Sequence, residues 1–589
     1  MSTPRTVLGV NIFHGDVSAA LVQDGQLVTA VEEERFRRIK HVAGVPSAAI
    51  EACLRAGGVT PEAVDVFAVS RNPRANMLAR ALFVARHRPR LGLLGDRLRN
   101  ARRVHDVATA LAAATGLAAD RVRPRLMWVE HHAAHLASAF FVSSFGEAAV
   151  CAIDGFGDFV STSWTVGRGE RLGRLARVYF PHSLGLLYLA VTQHLGFWKY
   201  GDEYKVMGLA PYGAPEHVER LRRVIRLRPQ GRFALDLSYF RHWSEGVNMT
   251  WEDGEPVIGP AFTPKLEALL GPARRPDEPV TARHEAIAAS LQVVFEEVAL
   301  HVLDSLQRRT GQRRLCLAGG CAMNSVLNGK VRASTGFREV YVQPAAADNG
   351  TALGAAFYAW HHVLGQPRAF VMEHAYWGPE FGDAAFEDVV SAHAARLREQ
   401  GCVVTRPEDD DALYRWTAQR LADGKVVGWF QGRMEWGARA LGNRSILADP
   451  RRVDMREIIN TRIKLRERFR PFAPSILEEA VDEYFVGAVP DPFMVHVYPV
   501  RPDKRAVIPA VTHVDGSGRL QSVSRQGNPR YWALIKAFEK LTGVPVLLNT
   551  SFNENEPIVH RPEEALDCFL RTKMDCLVLG RIAVARSAA

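Results

Sequence analysis

The stretch VLGVNIFHGDVSAALVQDGQLVTAVEEE, residues 7–34, reads as an apolar strand, a glycine-containing turn and a β-hairpin. Asp24-Gly25 is a favourable pair for a two-residue hairpin turn. A second stretch, VCAIDGFGDFVSTSWTVGRGERLGRLARV at residues 150–178, follows the same plan. The repeat predicts that this part of the chain contains the same α/β unit twice.

The two copies also align at polar positions. Asn11 matches Asp154, and Asp16 matches Asp158 after a gap of one residue. A duplicated strand–turn–hairpin followed by helices, with a cleft between its halves, is how actin-like phosphotransfer folds are built. The sequence therefore predicts an α/β N-terminal domain of the duplicated actin-like (ASKHA) class.

Two further strand–helix units follow in this domain. RRLCLAGG, residues 313–320, reads as a buried strand that ends in glycines, and EVYVQPAAADNGTALGAAFYAW, from Glu339, places Asp348 at its turn. Ligands of α/β sheets bind where the carboxyl ends of strands face helix N-termini, and the free N–H groups there favour phosphate. These turns are therefore candidate ligand-binding loops.

A domain boundary is expected at residues 362–378, where the periodicity breaks and Pro and Gly punctuate the chain. We place the N-terminal domain at residues 1–365 and a smaller α/β domain at 366–589. The second domain is rich in arginine and contains VPVLLNTSFNENEPIV, a buried strand ending in polar residues.

Composition restricts the function classes. The 589 residues carry 74 Lys+Arg against 64 Asp+Glu, a net charge of +10, and seven cysteines without a C-x-x-C pair. The cysteine spacing argues against a zinc ribbon or a disulfide scaffold and suits a reducing cytoplasm. The longest apolar run, VATALAAATGLAA from Val107, is too short to span a bilayer, so no membrane partner is expected. Basic residues are scattered without aromatic-basic repeats, so nucleic acid is not expected either.

Three histidines share a helical turn in MWVEHHAAHLASAF, residues 127–140. Helical spacing places His131 and His135 on one face, about 6 Å apart, whereas His132 points elsewhere. Two such imidazoles can share a cation. They can equally be capped or exposed histidines without a metal, and the spacing alone leaves both interpretations open.

Cations crowd the motif IKLRERFRPFAPS, residues 463–475. With Arg439 and Arg444 they could surround a small polyanion. The alternative is a solvated helix face, which the apolar residues that follow make less favourable. A second arginine cluster, residues 86–103, is interpreted as a solvated face. In GFWKYGDEYKVMGLAPYG, residues 196–213, Lys205 could contact phosphates or form an ion pair within a structural turn.

Seven ordered motifs resemble one known family: HHAAH, YGDEYKVMGLAPYG, LAGGCAMNSVLNGKV, DNGTALGAA, GARALGNRSILADPR, IKLRERFRPFAPS and LLNTSFNENEPIV. They are similar to those of the ATP-dependent O-carbamoyltransferases of antibiotic and nodulation-factor biosynthesis. The likeness runs from about Val7 to Gly580. It implies an N-terminal domain like the tRNA threonylcarbamoyl-transfer protein and a C-terminal twisted-sheet domain of the threonylcarbamoyl-adenylate synthase type.

The resemblance also implies a reaction. The C-terminal domain would use carbamoyl phosphate and ATP, with Mg²⁺ accompanying the ATP, to make carbamoyl-adenylate. The N-terminal domain would then pass the carbamoyl group to a hydroxyl of a small-molecule natural product. Alternatives are tRNA-type threonylcarbamoyl transfer, hydrogenase-maturation carbamoyl transfer (which has the opposite domain order and zinc-finger cysteines), a metalloprotease without an H-E-x-x-H motif, and a sugar kinase.

The family motifs assign roles to positions of this sequence. The implied metal ligands are His131, His135, Asp154 and Asp348, with Fe²⁺ expected and other divalent ions possible. The implied carbamoyl-phosphate-binding residues are Arg439, Lys464 and Arg470. The expected substrate- and nucleotide-binding residues are Lys205, Gly319, Gly320, Asn324, Arg444, Arg519, Asn549 and Ser551. His14, in the first turn, is the candidate general base, because a histidine of near-neutral pKa suits proton removal from an alcohol; it can also be a turn histidine bonded to backbone.

Overall fold

The computed structural model describes residues 5–87, 106–173, 176–247, 249–252 and 254–587. The chain forms two compact units, Met1–Met372 and Glu373–Ala589. The arginine cluster of residues 86–103 lies, apart from its first members, outside the described residues. All seven cysteines are free thiols.

The described residues of the first unit form fifteen strands. They are β1 (Thr6–Asn11), β2 (Ser18–Gln23), β3 (Gln26–Glu32), β4 (Val66–Val69), β5 (Leu126–Trp128), β6 (Glu147–Gly157), β7 (Val160–Arg168), β8 (Arg171–Leu172), β9 (Ala176–Tyr179), β10 (Ile225–Arg228), β11 (Arg232–Leu235), β12 (Met249–Glu252), β13 (Glu255–Ile258), β14 (Arg314–Ala318) and β15 (Glu339–Val342).

The described residues of this unit also form the α-helices given next, and several of these are a single turn long. They are α1 (Glu34–Arg37), α2 (Ser47–Gly57), α3 (Met77–His87), α4 (Val107–Thr115), α5 (Ala119–Val122), α6 (His131–Phe140), α7 (Leu184–His194), α8 (Glu203–Leu209), α9 (Val218–Leu221), α10 (His242–Glu245), α11 (Pro264–Leu270), α12 (Ala282–Thr310), α13 (Ser325–Ser334) and α14 (Gly350–Phe357).

The predicted duplication is confirmed by the sheet topology. The first sheet has the order β3-β2-β1-β4-β5, and the second has β15-β14-β6-β7 with β9 paired to β7. In the first sheet, β1 lies between an antiparallel hairpin, which begins with β2, and the parallel strands β4 and β5. In the second sheet, β6 lies in the same way between antiparallel β7 and the parallel strands β14 and β15. The backbone confirms the alignment of the repeats as well, because Asp16 and Asp158 both adopt positive φ, 55° and 46°. The first unit thus has the duplicated actin-like fold.

Two helices join the halves of this fold. α14 packs against β1 and β4, α6 packs against β6 and β14, and the two helices pack against each other. They approach closely at Gly354, where an added Cβ would lie 1.9 Å from the carbonyl oxygen of Ala134. α6 begins with the predicted histidines, and α14 begins two residues after Asp348. The helix pair therefore brings both predicted ligand-bearing segments into one core.

Among the described residues, one helix is long and apolar enough to cross a membrane. α12, Ala282–Thr310, has an apolar window of which 78% is buried inside the protein. Such burial is typical of a helix that packs in a protein core. The expectation of no membrane partner stays a prediction.

The second unit is built on one mixed sheet of nine strands, as the predicted α/β class requires. The sheet has the order β16-β24-β23-β17-β18-β22-β19-β21-β20. The strands are β16 (Cys402–Thr405), β17 (Val427–Phe430), β18 (Arg444–Ala448), β19 (Ala473–Leu477), β20 (His496–Pro499), β21 (Ser517–Val523), β22 (Val546–Ser551), β23 (Cys576–Leu579) and β24 (Ile582–Arg586). The helices are α15 (Asp383–Ala392), α16 (Ala394–Glu399), α17 (Asp410–Ala422), α18 (Met455–Arg462), α19 (Val481–Tyr484), α20 (Pro529–Thr542) and α21 (Pro562–Arg571).

Candidate functional site

The histidines of α6 lie side by side at the start of the helix. Glu130 caps the helix by accepting a hydrogen bond from the N–H of Ala133. His131 and His135 are buried, and their Nε2 atoms lie 3.1 Å apart. The ring of His132 instead contacts Ser163 Oγ at 3.0 Å and the Val160 carbonyl oxygen at 2.9 Å. The predicted pairing of the first and third histidines, with the second turned away, is confirmed.

Two buried carboxylates complete this cluster. Asp154 lies on β6, and Asp348 lies between β15 and α14. His131 Nε2 is 3.5 Å from Asp154 Oδ2 and 3.4 Å from Asp348 Oδ1, and His135 Nε2 is 3.3 Å from the same Asp348 oxygen. One ligand atom from each of the four residues lies within 4.8 Å of the others. The structure thus brings together all four predicted metal ligands.

The charges of the cluster suit a cation. Burial opposes ionisation of Asp154, yet the neighbouring histidines hold the pKa of its carboxyl at about 2. Burial likewise opposes the charged form of His131, but Asp348 and Asp154 raise the pKa of this histidine well above its ordinary value. Burial opposes ionisation of Asp348 too, yet His14 and His131 hold the pKa of its carboxyl well below the ordinary value. Both carboxyl groups are therefore ionised at neutral pH, and His131 supplies neighbouring positive charge that a metal ion could replace.

The donor set also fits a divalent ion by geometry. Donors held about 2.1 Å from one first-row ion lie roughly 3.0–3.4 Å from one another. The separations of 3.1 Å between the two imidazoles and 3.3 Å between His135 and Asp348 fall in this range, whereas Asp154 Oδ2 lies farther from the two imidazoles, at 3.5 and 3.9 Å. Imidazole with carboxylate is a mixed N/O set that accepts Fe²⁺, Mn²⁺ or Zn²⁺. These four residues would hold the metal.

The backbone around the cluster leaves no space for larger residues. An added Cβ at Gly157 would lie 2.1 Å from the His131 ring, and one at Gly319, whose φ is +87°, would lie 2.3 Å from the Ile153 carbonyl oxygen. Gly320 donates its N–H to Asp154 Oδ1 at 2.9 Å. The predicted glycine turn therefore contributes to the site by orienting a ligand carboxylate.

Gly157→Ala is expected to weaken metal binding, because the new methyl group must displace the His131 ring. A disturbed ligand orientation costs about 10- to 100-fold in metal affinity. Gly155→Ala is the matched control, since nothing lies within 4 Å of its added Cβ. The measurement is metal titration of both metal-depleted variants. Equal affinities of the two variants would contradict the expected role of Gly157.

His14 adjoins the cluster from the first repeat. Its Nδ1 contacts Asp348 Oδ2, while the other oxygen of Asp348 faces the histidines of α6. The side chain of His14 is 27% exposed, and its ring centroid lies 5.5 Å from that of His131. Asp348 therefore links the candidate base to the candidate metal ligands, an arrangement that fixes the imidazole beside the site.

Lys205 and Asn324 make structural contacts. Lys205 Nζ lies 3.0 Å from Asp202 Oδ1 and 5.4 Å from the centroid of the Phe197 ring. This contact is the ion pair within a structural turn, one of the two alternatives that the sequence allowed for Lys205. Asn324 caps α13 by accepting the N–H of Leu327 at 3.0 Å. The structure thus gives each of these two side chains a partner inside the protein.

A second site lies in the other unit, where four arginines come together. Burial lowers the pKa of Arg519 well below its ordinary value, and Arg439, Arg466 and Arg470 add to the shift. Burial also lowers the pKa of Arg439 to about 10, which still leaves it charged at neutral pH. The predicted residues Arg439, Arg470 and Arg519 are therefore close neighbours.

Carboxylates also lie near these arginines. Asp491 is the acidic neighbour of Arg439 and Arg519, and its oxygens accept hydrogen bonds from the N–H groups of Phe493, Val495 and His496. Glu467 lies 3.6 Å from Arg470. A cluster of guanidinium groups is typical of a site for a phosphate-bearing ligand.

Lys464 and Arg444 both have partners inside the protein. Lys464 is 1% exposed, and its Nζ contacts the Ser551 carbonyl oxygen at 2.5 Å and two oxygens of Asn553 at 2.7 and 2.6 Å. Arg444 is fully buried, donates to the carbonyl oxygens of Gln431, Asn443 and Gly432, and lies 3.6 Å from the centroid of the Phe430 ring. Both cations stabilise loops of the second unit by donating hydrogen bonds to backbone oxygens. Their direct contact with an anion stays a prediction.

Asn549 and Ser551 lie at the end of β22, as predicted. Asn549 Nδ2 donates to the carbonyl oxygen of Ala440 at 3.1 Å. Ala440 follows directly after Arg439 in the chain. Asn549 therefore positions the loop that carries a cluster arginine. Ser551 belongs to the Lys464 contacts instead.

Sequence reasoning gave no individual role to two contributors, although it counted Arg466 among the cations of the motif at residues 463–475. Arg466 belongs to the arginine cluster and stacks 4.8 Å from the centroid of the Phe472 ring. Asp158 accepts the N–H of His131 at 3.0 Å and that of Asn72 at 2.7 Å, and so fixes the start of α6. The repeat had already matched Asp158 with Asp16, so the alignment contained the signal for this residue.

Comparison with known proteins agrees with this geometry. The family described as carbamoyltransferase N-terminus matches residues 6–357, and the carbamoyltransferase C-terminus matches residues 418–586. The chain belongs to the carbamoyltransferase family. The four-ligand cluster lies in the first matched part of this carbamoyltransferase, and the arginine cluster lies in the second.

Relatives of this carbamoyltransferase include two nodulation proteins. It is 42% identical to nodulation protein NolNO of Sinorhizobium fredii over 98% of this chain and 80% of the relative. It is 43% identical to NolO of Bradyrhizobium diazoefficiens over 77% and 78%. An uncharacterized Synechocystis sp. protein is 40% identical over 99% and 97%. Among solved structures, HypF of T. kodakarensis matches 62% of this chain and 49% of its own at 16% identity, with a TM-score of 0.31.

Proposed function

We propose that this carbamoyltransferase makes carbamoyl-adenylate in its C-terminal unit and transfers the carbamoyl group to a small-molecule hydroxyl in its N-terminal unit. The cosubstrates would be carbamoyl phosphate and ATP, accompanied by Mg²⁺. The observation that carries the proposal is the presence of two separate sites with different chemistry. One is a cluster of arginines suited to phosphates, and the other is a buried His/Asp cluster suited to a metal.

The first half-reaction needs phosphate binding. Water would cleave carbamoyl phosphate to carbamate and phosphate, and a carbamate oxygen would then attack the α-phosphorus of ATP with loss of pyrophosphate. Carbamoyl phosphate, carbamate and ATP are all anions, and the guanidinium groups of Arg439, Arg466, Arg470 and Arg519 offer planar forks that match phosphate oxygens. Their partial burial strengthens each contact, because fewer waters compete for the charge.

The second half-reaction needs a base and charge stabilisation. The acceptor oxygen would attack the carbonyl carbon of carbamoyl-adenylate, the bond to the phosphate oxygen would break, and AMP would leave. His14 would take the hydroxyl proton, with Asp348 holding its Nδ1. A divalent ion bound by His131, His135, Asp154 and Asp348 would supply Lewis-acid stabilisation of the developing negative charge.

The adenylate route makes a testable prediction about products. The purified enzyme given carbamoyl phosphate and ATP should form AMP and pyrophosphate, and carbamoyl phosphate should stimulate exchange of labelled pyrophosphate into ATP. Omission of carbamoyl phosphate is the control. Stoichiometric ADP with a phosphorylated alcohol would identify a kinase and refute the proposal.

A further inference from the structure

The segment from Gly196 to Gly213 contacts the turn that carries His14. The role expected for this segment, which rested on Lys205, does not explain this contact. A Cβ added at Gly15, the residue after His14, would lie 2.8 Å from the hydroxyl oxygen of Tyr200. The Tyr200 ring also meets the His41 ring edge-on, with 5.3 Å between centroids. The Tyr200 hydroxyl is thus directly against the turn that carries the candidate base.

The position of this turn is fixed by its surroundings. Phe13 and Asp16 adopt positive φ, 56° and 55°, a conformation that costs energy for residues other than glycine and persists only under external constraint. Asn11 Nδ2 donates to the carbonyl oxygens of Gly15 and Asp16, at 3.1 and 3.0 Å, and Arg71 donates to that of Phe13 at 3.0 Å. Tyr200 therefore faces a rigid element.

The Tyr200 hydroxyl is suited to donate a hydrogen bond. Burial, followed by the nearby carboxylates of Asp16, Asp348 and Asp154, raises the pKa of this phenol well above its ordinary value, so it keeps its proton. Among the described residues, no hydrogen-bond acceptor pairs with this hydroxyl, and the side chain is only half-buried. A protonated donor thus lies against the turn that carries the candidate base, with an unfilled bonding capacity.

We infer that Tyr200 is a catalytic residue of the N-terminal site, whose hydroxyl donates a hydrogen bond to the carbamoyl oxygen during transfer. The inference rests on the proposed function. As the acceptor oxygen attacks the carbonyl carbon, the carbonyl π-electrons move onto its oxygen, and a donor aimed at this oxygen lowers the barrier. The electrons return when the bond to AMP breaks, so Tyr200 loses no proton in the cycle. Removal of one such donor costs about 10²- to 10³-fold in kcat.

Tyr200→Phe tests the inference, because it removes the hydroxyl and keeps the ring against Gly15 and His41. The assay is AMP release from synthetic carbamoyl-adenylate, with glycerol and water as probe acceptors. Tyr212→Phe, at the 36% exposed tyrosine of the same segment, is the matched control. We expect kcat to fall about 100-fold or more for Tyr200→Phe alone, with unchanged metal content and unchanged carbamoyl-phosphate-dependent pyrophosphate exchange.

Two results would overturn the inference. One is a Tyr200→Phe variant as active as Tyr212→Phe, and the other is a Tyr200→Phe variant that loses its metal, which would assign the hydroxyl a structural role. Failure of the proposed function would look different: the unaltered enzyme itself would then release AMP no faster than a variant lacking both metal-ligand histidines.

Discussion

Replacement of His131 and His135 by alanine is expected to remove the bound metal and to stop carbamoyl transfer. The two imidazoles are half of the donor set, and their Nε2 atoms lie 3.1 Å apart in a buried pocket of ligands. Without them Asp154 and Asp348 remain as two buried carboxylates, which repel each other unless one is protonated. The loss of several kcal/mol of charge stabilisation corresponds to a fall in transfer on the order of 10³-fold.

The measurement has two independent readouts. Elemental analysis should find about one first-row divalent ion per chain in the unaltered enzyme and almost none in the double variant. AMP release from supplied carbamoyl-adenylate should fall, whereas pyrophosphate exchange in the other unit should persist. His132→Asn is the control from the same turn, because both ring nitrogens of His132 contact Ser163 and Val160 and so offer no ligand atom to the cluster. Full transfer by a rigorously metal-free preparation would overturn the assignment.

Much of this fold could be predicted from one repeat. The strand–turn–hairpin of residues 7–34 recurs at 150–178, and the shared positive φ of Asp16 and Asp158 shows why an aspartate stands at each turn. Short polar side chains tolerate this conformation better than bulky ones. The pattern is local, so a single sequence could reveal it.

The roles of the buried cations could not be predicted in the same way. A sequence shows that Lys464 and Arg444 are positive, but not which oxygens meet them after folding. The fold brings Ser551 and Asn553, at and just after the end of β22, to Lys464, and the pairing of β17 with β18 brings the carbonyl oxygens around Gln431 to Arg444. These partners come from other segments of the chain, so only the folded structure shows them.

The position of Tyr200 could not be predicted from the sequence either. In the sequence, Lys205 was the evident candidate of its segment because it carries a charge. The fold pairs Lys205 with Asp202 and turns the uncharged Tyr200 toward the His14 turn. Proximity to a site is a property of chain topology, and charge alone did not indicate it.

Arg439→Ala and Arg519→Ala are expected to block carbamoyl-adenylate formation while the N-terminal unit continues to use carbamoyl-adenylate supplied from outside. Both guanidinium groups belong to the arginine cluster, where burial disfavours their charged form and neighbouring arginines add to this effect at Arg519. Loss of one cation from a desolvated anion site costs about 2–5 kcal/mol. This equals roughly 30- to 5000-fold in rate or affinity.

The matched control is Arg468→Ala, because this arginine belongs to the same motif but its side chain is 79% exposed beside Glu457. Carbamoyl-phosphate-dependent pyrophosphate exchange should be lost in the two cluster variants and kept in the control. AMP release from supplied carbamoyl-adenylate should be normal in all three. If Arg519→Ala remains folded and metal-loaded but cannot use supplied carbamoyl-adenylate, the arginines serve the transfer step itself, and a division of the reaction between two sites is wrong for this enzyme.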